Sequence, residues 1–257
     1  MTAWLDKEFI FACGLHRSGT SLLFQILREH PEISGFSGTD SPEDEGQHLQ
    51  SVYPTAKVFG GPGKFALNPD SYMDETSSIA SPEHAEQLYG EWAPLWDTSR
   101  RYLLEKSPPT LVRTRYFQAL YPRSRFVVLL RHPLAVSLAT RKWNHTSFKE
   151  LIKHWLVAHE RFEADRAQLG HVLYYKHLIQ RPNEVLEELY AFLGLESMPN
   201  EVKVNDTIND KYFEQWEARR AKLGFRLKHA AFLRRMEPRA NRFGYSLLDY
   251  RRMPTVN

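Results

Sequence analysis

The stretch FIFACGLHRSGTSLLFQIL, Phe9 to Leu27, decides the reading of this chain. Phe9 to Cys13 is a short, wholly apolar run of strand type. Gly14 to Gly19 is a turn bounded by two glycines, and an amphipathic helix follows from about Thr20. A strand feeding a tight turn into a helix N-terminus makes an anion site. The first N–H groups of the helix have no partner within it, and its dipole places partial positive charge at that end. Gly14 and Gly19 let the backbone turn sharply and approach a ligand closely. Arg17, Ser18, Thr20 and Ser21 add a guanidinium and three hydroxyls to the same small space.

The spacing Gly14-x-x-x-x-Gly19 resembles a P-loop, yet Thr20 stands where a nucleotide triphosphatase has lysine. The positive charge lies inside the loop instead, on Arg17. A triphosphatase needs its lysine on the terminal phosphates and a hydroxyl on magnesium. The expectation is therefore an anion site of another type, rather than either a triphosphatase loop or a plain strand–helix junction.

Working outward, strands alternate with helices. His30-Pro31 stops the first helix, and Gly35 and Gly38 follow. An acidic segment, SPEDEGQHLQ (Ser41 to Gln50), leads into a Gly- and Pro-rich stretch with no sustained period, Val52 to Tyr72. Residues 37–81 read as the wall or lid of an acceptor pocket, since a long irregular loop is usually functional. Ser81-Pro82 opens a helix to about Thr98 that turns Leu88, Trp92 and Leu95 inward. Tyr102 to Glu105 is a second strand, ending at Lys106-Ser107-Pro108. Thr110 caps a helix to Tyr121. Ser124 to Leu130, SRFVVLL, is apolar as a central parallel strand should be, and stops at Arg131-His132-Pro133. A helix then runs through Trp143, which falls on apolar spacing and is placed in the core with Trp155. Ser147 to Gln168 is a long amphipathic helix with Asp165 at its wet end. His171 to Leu178 is a fourth strand, and Pro182 opens a helix capped by Gly194. Residues 200–257 form a basic helical segment.

This alternation predicts an α/β chain: a P-loop-like three-layer fold, its central parallel sheet flanked by helices, with a helical C-terminal extension. All 257 residues are read as one domain. Ligands of such sheets bind at the carboxyl ends of the strands. Arg17, the group Glu105-Lys106-Ser107, and Arg131 all fall at such ends.

The chain is 42% hydrophobic, enough for a real core, and its formal net charge of +3 gives no reason to expect nucleic acid. The single cysteine, Cys13, excludes an intrachain disulfide and suits a reducing, cytoplasmic setting, as a core residue rather than a nucleophile. No run is long and apolar enough for a membrane span, and Met1 to Lys7 does not read as a signal peptide. His154 and His159 are five residues apart and offer no metal-ligand spacing, so no metal is expected.

The loop Gly14 to Ser21, the EKSP step Glu105 to Pro108, the run Arg125 to Ala139 and the tail Tyr174 to Leu195 occur in sulfotransferase order. Together they resemble a bacterial-type sulfotransferase using 3'-phosphoadenosine 5'-phosphosulfate (PAPS), related to the carbohydrate and tyrosylprotein sulfotransferases. The resemblance implies that Leu15, His16, Arg17, Ser18, Gly19, Thr20 and Ser21 hold the 5'-phosphosulfate. It implies that Arg131 and Ser137 hold the 3'-phosphate, although the serine follows the arginine by six positions here, against eight in the commoner family pattern. A strand-end guanidinium and a hydroxyl in the next helix make a second phosphate site by chemistry alone.

Lys106 matches a lysine that in the tyrosylprotein branch lies near the transferred sulfonate, where a fixed ammonium would stabilise charge on the bridging oxygen. The alternative is a lysine solvated or paired with Glu105. The acceptor hydroxyl needs a base. The places where the tyrosylprotein branch has its glutamate read Ile33-Ser34-Gly35-Phe36, so Glu45 is chosen, with Asp44 and His48 close seconds. Arg17, Lys106 and Glu45 are thus the expected catalytic residues. The implied reaction is PAPS-dependent transfer of sulfonate to a hydroxyl acceptor, a carbohydrate or other small molecule, with PAP as product and no metal. Tyr53, Phe59, Phe65, Tyr72, Trp92 and Trp96 are candidate platforms for a sugar or phenol, or else core. The competing readings are a small-molecule P-loop kinase and a catalytically silent nucleotide-binding module whose basic tail docks a partner.

Overall fold

The computed structural model describes residues 4–143, 145–165, 170–204, 207–252 and 254. Five strands form one parallel sheet: β1 (Glu8–Cys13), β2 (Ile33–Gly35), β3 (Tyr102–Lys106), β4 (Ser124–Leu130) and β5 (Gly170–Tyr174). Their order is β2-β3-β1-β4-β5. The chain leaves β1 toward one edge and later returns to its other side as β4. That reversal opens a crevice at the carboxyl ends, where such sheets take their ligands. The register aligns Phe9 of β1 with Leu103 of β3 and with Ser124 of β4.

Helices α1 (Thr20–Arg28), α2 (Pro82–Trp92), α3 (Thr114–Leu120), α4 (Pro133–Thr140) and α5 (Phe148–Asp165) flank the sheet. They are followed by α6 (Tyr175–Gln180), α7 (Pro182–Leu193), α8 (Asp210–Arg220) and α9 (Leu223–Asn241). β1 is buried on both sides, and its rings anchor α3. Phe9 stacks on Tyr121 at 4.3 Å, and Phe11 lies 4.6 Å from Phe117. Ser81 caps α2 by accepting from the amide of His84, with Pro82 in the first turn, as the sequence predicts. Gly194 ends α7 at φ 68°.

Several expectations are corrected. β2 goes unpredicted because it has three residues, too few to show a period, and it lies at the sheet edge. The fourth strand stops at Tyr174, not Leu178: Tyr175 turns into α6 so that its ring packs on the Gly19 turn. The helix expected from Thr110 is split into a 3-10 turn at Pro108–Val112 and α3, because two successive prolines supply no amides for a regular first turn. The helix expected to reach Thr98 ends at Trp92, and Pro94 turns Leu95 outward to 37% exposure. Asp165 is buried rather than wet, accepting from the Tyr72 and Thr114 hydroxyls (3.0 and 3.4 Å). The expected continuation of that helix to Gln168 lies outside the described residues. Trp155 is core, but Trp143 is 56% exposed.

Residues 37–81 are irregular, as expected, built as successive 3-10 turns. Arg113, itself fully buried, fastens them, donating to the carbonyls of Pro54 (2.9 Å) and Ser71 (3.1 Å). Of the basic C-terminal segment expected to be helical, Asp210–Arg220 and Leu223–Asn241 are helices, while the described residues before and after them are not. Arg239 and Arg242 pair with Glu160 and Glu163 of α5. Among the described residues, no helix is long and apolar enough to cross a membrane.

Candidate active site

The turn after β1 is built around its glycines. A side chain at Gly19 (φ 103°) would put Cβ 2.5 Å from the Tyr175 ring, and one at Gly14 would meet the Leu129 carbonyl at 2.8 Å. The turn is closed by Ser18, whose amide and hydroxyl both donate to the Leu15 carbonyl (2.9 and 2.6 Å). Between them Arg17 takes φ 69°, the left-handed region that a residue with a Cβ enters only when its surroundings impose it. α1 starts at Thr20, and Gly19 before it supplies no capping side chain, so its first amides stay available to a ligand.

Arg131 follows β4 and reaches the same turn. Its Nη1 donates to the Arg17 carbonyl (2.9 Å) and its Nε to Asn209 Oδ1 (2.8 Å). The guanidinium lies over the Tyr175 ring at 4.4 Å. It is only 4% exposed, and its Nη2 has no partner among the described residues. Burial lowers the affinity of this arginine for its proton. A buried guanidinium that meets no carboxylate among the described residues is costly, and a bound anion would relieve that cost. Ser137 lies buried in α4, and its Oγ also lacks a partner.

The carboxyl end of β3 holds the acidic segment. Glu105 Oε1 accepts from the Gly46 amide (3.1 Å) and the Ser107 hydroxyl (2.5 Å), and Ser107 Oγ accepts from the Gln47 amide (2.9 Å). This clamp presents Glu45. Its Oε2 accepts from Gln47 Nε2 (2.5 Å), and its Oε1 lies 3.5 Å from Lys106 Nζ. Lys106 is fully buried and also donates to the Glu43 carbonyl (2.7 Å). It pairs with Glu45, neither solvated nor turned to Glu105. Burial raises the pKa of Glu45, and the cation of Lys106 only partly opposes this. Glu43 and Asp44 both take left-handed angles (φ 58° and 50°). Glu43 accepts from Ser21 Oγ at 2.7 Å, while Asp44 accepts from the Thr39 amide and hydroxyl.

These pieces surround one cavity of about 520 Å³. Its lining includes His16, Arg17, Gly19, Thr20 and Ser21 of the turn and helix start, Glu43, Glu45, Gln47 and His48 of the acidic segment, Ala56, Lys57 and Pro62 of the following loop, Pro108, and Arg131, Trp143, Tyr175, Lys203 and Ile208. Leu15 and Ser18 sit behind the turn, Lys106 lies beneath Glu45, and Asp44 faces away. Burial, with Lys106 beside it, lowers the His16 imidazole to about 3 and keeps it neutral. The cradle fits a doubly phosphorylated nucleotide: amides and Arg17 at one end, the unpartnered Arg131 nitrogen beside them.

The sequence model described as the sulfotransferase family matches residues 9–200. The chain belongs to the sulfotransferase family. Its sequence is similar to protein-tyrosine sulfotransferase 2 of Gallus gallus, 25% identical over 206 residues, covering 74% of this chain and 52% of that one. It is 26% identical over 200 residues to a putative protein-tyrosine sulfotransferase of Caenorhabditis briggsae, covering 74% of this chain and 66% of that protein. The nodulation protein NoeE of Sinorhizobium fredii is 24% identical over 222 residues, covering 72% of this chain and 49% of NoeE. The chain thus spans about half to two-thirds of the length of these relatives. Its fold is that of the sulfotransferase domain of the Synechococcus PCC 7002 olefin synthase, at TM-score 0.52 and 18% identity, covering 81% of this chain and 88% of that one. The kinase reading is not favoured.

Around this cavity, sequence reasoning missed Trp143, Tyr175, Lys203 and Asn209. Trp143 has core-like spacing, Tyr175 sits in a run whose pattern is that of a strand, and nothing around Asn209 signals a partner for Arg131. Of the two readings of the six aromatics, platform or core, the structure supports core. Tyr53, Phe65, Trp92 and Trp96 are buried, and none of the six lines the cavity. None of the nine lysines and arginines from Arg219 to Arg242 lines it either.

Glu105 supplies a prediction of stability. Burial raises its carboxyl to about 7, and its Oε2 has no partner. The folded chain therefore holds this proton more tightly than the unfolded chain. The resulting stabilisation, on the order of 3 kcal/mol, is full below the unfolded value near 4.3 and is lost as pH rises through about 7. Glu105→Gln keeps the oxygen that accepts from Ser107 and Gly46. Thermal melts between pH 5 and 8 should slope downward for the wild type and flatten for Glu105→Gln.

Proposed function

We propose that this chain transfers the sulfonate of PAPS to a hydroxyl acceptor. The observation that supports this best is the convergence of Arg17 and Arg131 on one cavity, with Arg131 buried and short of a partner. Arg17, the backbone of residues 15–21 and the α1 N-terminus would hold the 5'-phosphosulfate. Arg131 would hold the 3'-phosphate; Ser137, buried in α4, does not line the cavity. PAPS supplies an activated sulfonate on a phosphate leaving group. The acceptor oxygen bonds to sulfur as the bridging sulfur–oxygen bond breaks, PAP departs, and the acceptor proton passes to Glu45. Lys106 is buried beneath Glu45 and outside the cavity lining, so it would favour the charge building on the bridging oxygen through its field rather than by contact. Neutral His16 contributes no charge at this end.

We assign the acceptor end to His48, Ala56, Lys57, Pro62 and Pro108, which among the described lining residues include no Phe, Tyr or Trp. A carbohydrate or other small hydroxyl compound remains our proposed class, with a tyrosyl hydroxyl suggested by the names of the relatives.

PAP should raise the melting temperature, whereas ATP with magnesium should not. Arg131→Ala should weaken PAP binding by about ten- to a hundredfold, the scale of hydrogen bonds to a charged group. Labelled PAPS offered with glycans and tyrosyl peptides should label one class of acceptor. A chain that responds to ATP and ignores PAP would overturn the proposal.

A further inference from the structure

Six tryptophans occur in the chain, and five of them are buried. Trp143 is 56% exposed, lies beyond the end of α4, and lines the cavity beside Arg17. The Arg17 guanidinium lies over its ring, 4.6 Å from the centroid. Among the described residues no carboxylate pairs with Arg17, so the indole is the neighbour that restrains this otherwise exposed side chain. The backbone of Arg17 is itself fixed in a left-handed turn, which aims the side chain along the cavity mouth.

We propose that Trp143 is a donor-positioning residue acting through Arg17, holding its guanidinium over the site of the 5'-phosphosulfate before the donor arrives. This rests on the donor reading above. A free arginine side chain loses rotamer freedom when it closes on a phosphate, and that loss opposes binding. An aromatic face that already orders the guanidinium removes much of it, and the ring quadrupole leaves the N–H edges free to bond. Phenylalanine supplies a similar face, and alanine supplies none.

The test is PAP affinity by calorimetry for the wild type, Trp143→Ala, Trp143→Phe, Arg17→Ala and the Trp143→Ala/Arg17→Ala pair. Trp143→Ala should weaken binding roughly three- to tenfold, the scale of a cation–π contact, and Trp143→Phe should recover most of it. In the Arg17→Ala background Trp143→Ala should change nothing, as a residue acting through Arg17 requires. Acrylamide quenching gives a second readout. Since the other five tryptophans are buried, the quenchable emission belongs to Trp143, and PAP should protect it. Wild-type affinity in Trp143→Ala, or an undiminished effect in the Arg17→Ala background, would overturn the assignment while leaving the donor reading intact. A wild type that does not bind PAP would overturn both.

Discussion

Glu45→Gln is expected to lower kcat by about a hundred- to ten-thousandfold, the usual contribution of a positioned general base. The change keeps size and polarity, and Gln47 can still donate to the remaining oxygen, so the turn should hold its shape. The pH profile is the sharper test. Burial disfavours the Glu45 carboxylate, so the side chain keeps its proton to a higher pH than a solvated glutamate, and Lys106, Gln47 and His48 only partly reverse this. A base must be ionised to act, so the acid limb of kcat/KM should fall above the usual value near 4.3. Glu45→Gln should erase that limb. Asp44→Asn should keep near-normal turnover, because Asp44 is engaged with Thr39 and faces away from the cavity. His48→Ala should cost little, since His48 lies 3.9 Å from Glu45 and serves only as its neighbour. A flat profile in the wild type would remove Glu45 from the reaction.

Lys106→Met is expected to lower kcat by about a hundred- to a thousandfold, the range seen when one preorganised electrostatic donor is lost. Methionine fills a similar volume, so most packing survives. The loss has a second signature that a mere packing defect would lack. Lys106 opposes the burial-driven rise in the Glu45 pKa. Without the ammonium that rise is greater, so the acid limb should move further up in pH. A fall in kcat with an unmoved limb would mean that Lys106 acts on the donor alone. An unchanged kcat would exclude it from catalysis.

Much of the donor half of the site is legible in the chain. Phe9 to Leu27 carries strand, turn and helix within one local stretch, and local signals survive without tertiary information. The strand-end position of Arg131 is likewise written in the apolar run before it. What is not legible depends on contacts between distant segments. Glu45 is one acid among three in an irregular loop, and its burial follows from a clamp contributed sixty residues later by Glu105 and Ser107. Trp143 has the spacing of a core residue and is exposed, because α4 ends at Thr140 and the chain turns before it. Tyr175 leaves its strand to fill the space that Gly19 vacates, a fit no single-segment period can express. Leu95 and Asp165 fail for the same reason: their burial is decided by a proline turn and by partners on other elements.

The Glu45 turn and the acceptor wall are moored to different parts of the scaffold. Glu105 and Ser107 hold the first to the sheet, while Arg113 ties down the second at Pro54 and Ser71. The two meet where the Ala56 amide donates to Gln47 Oε1 at 2.9 Å. If the proposed reading holds, residues 57–64 can be rewritten to change the acceptor without disturbing the Glu45 turn. A transplant of that short segment from a relative is the natural route to a new target on unchanged chemistry.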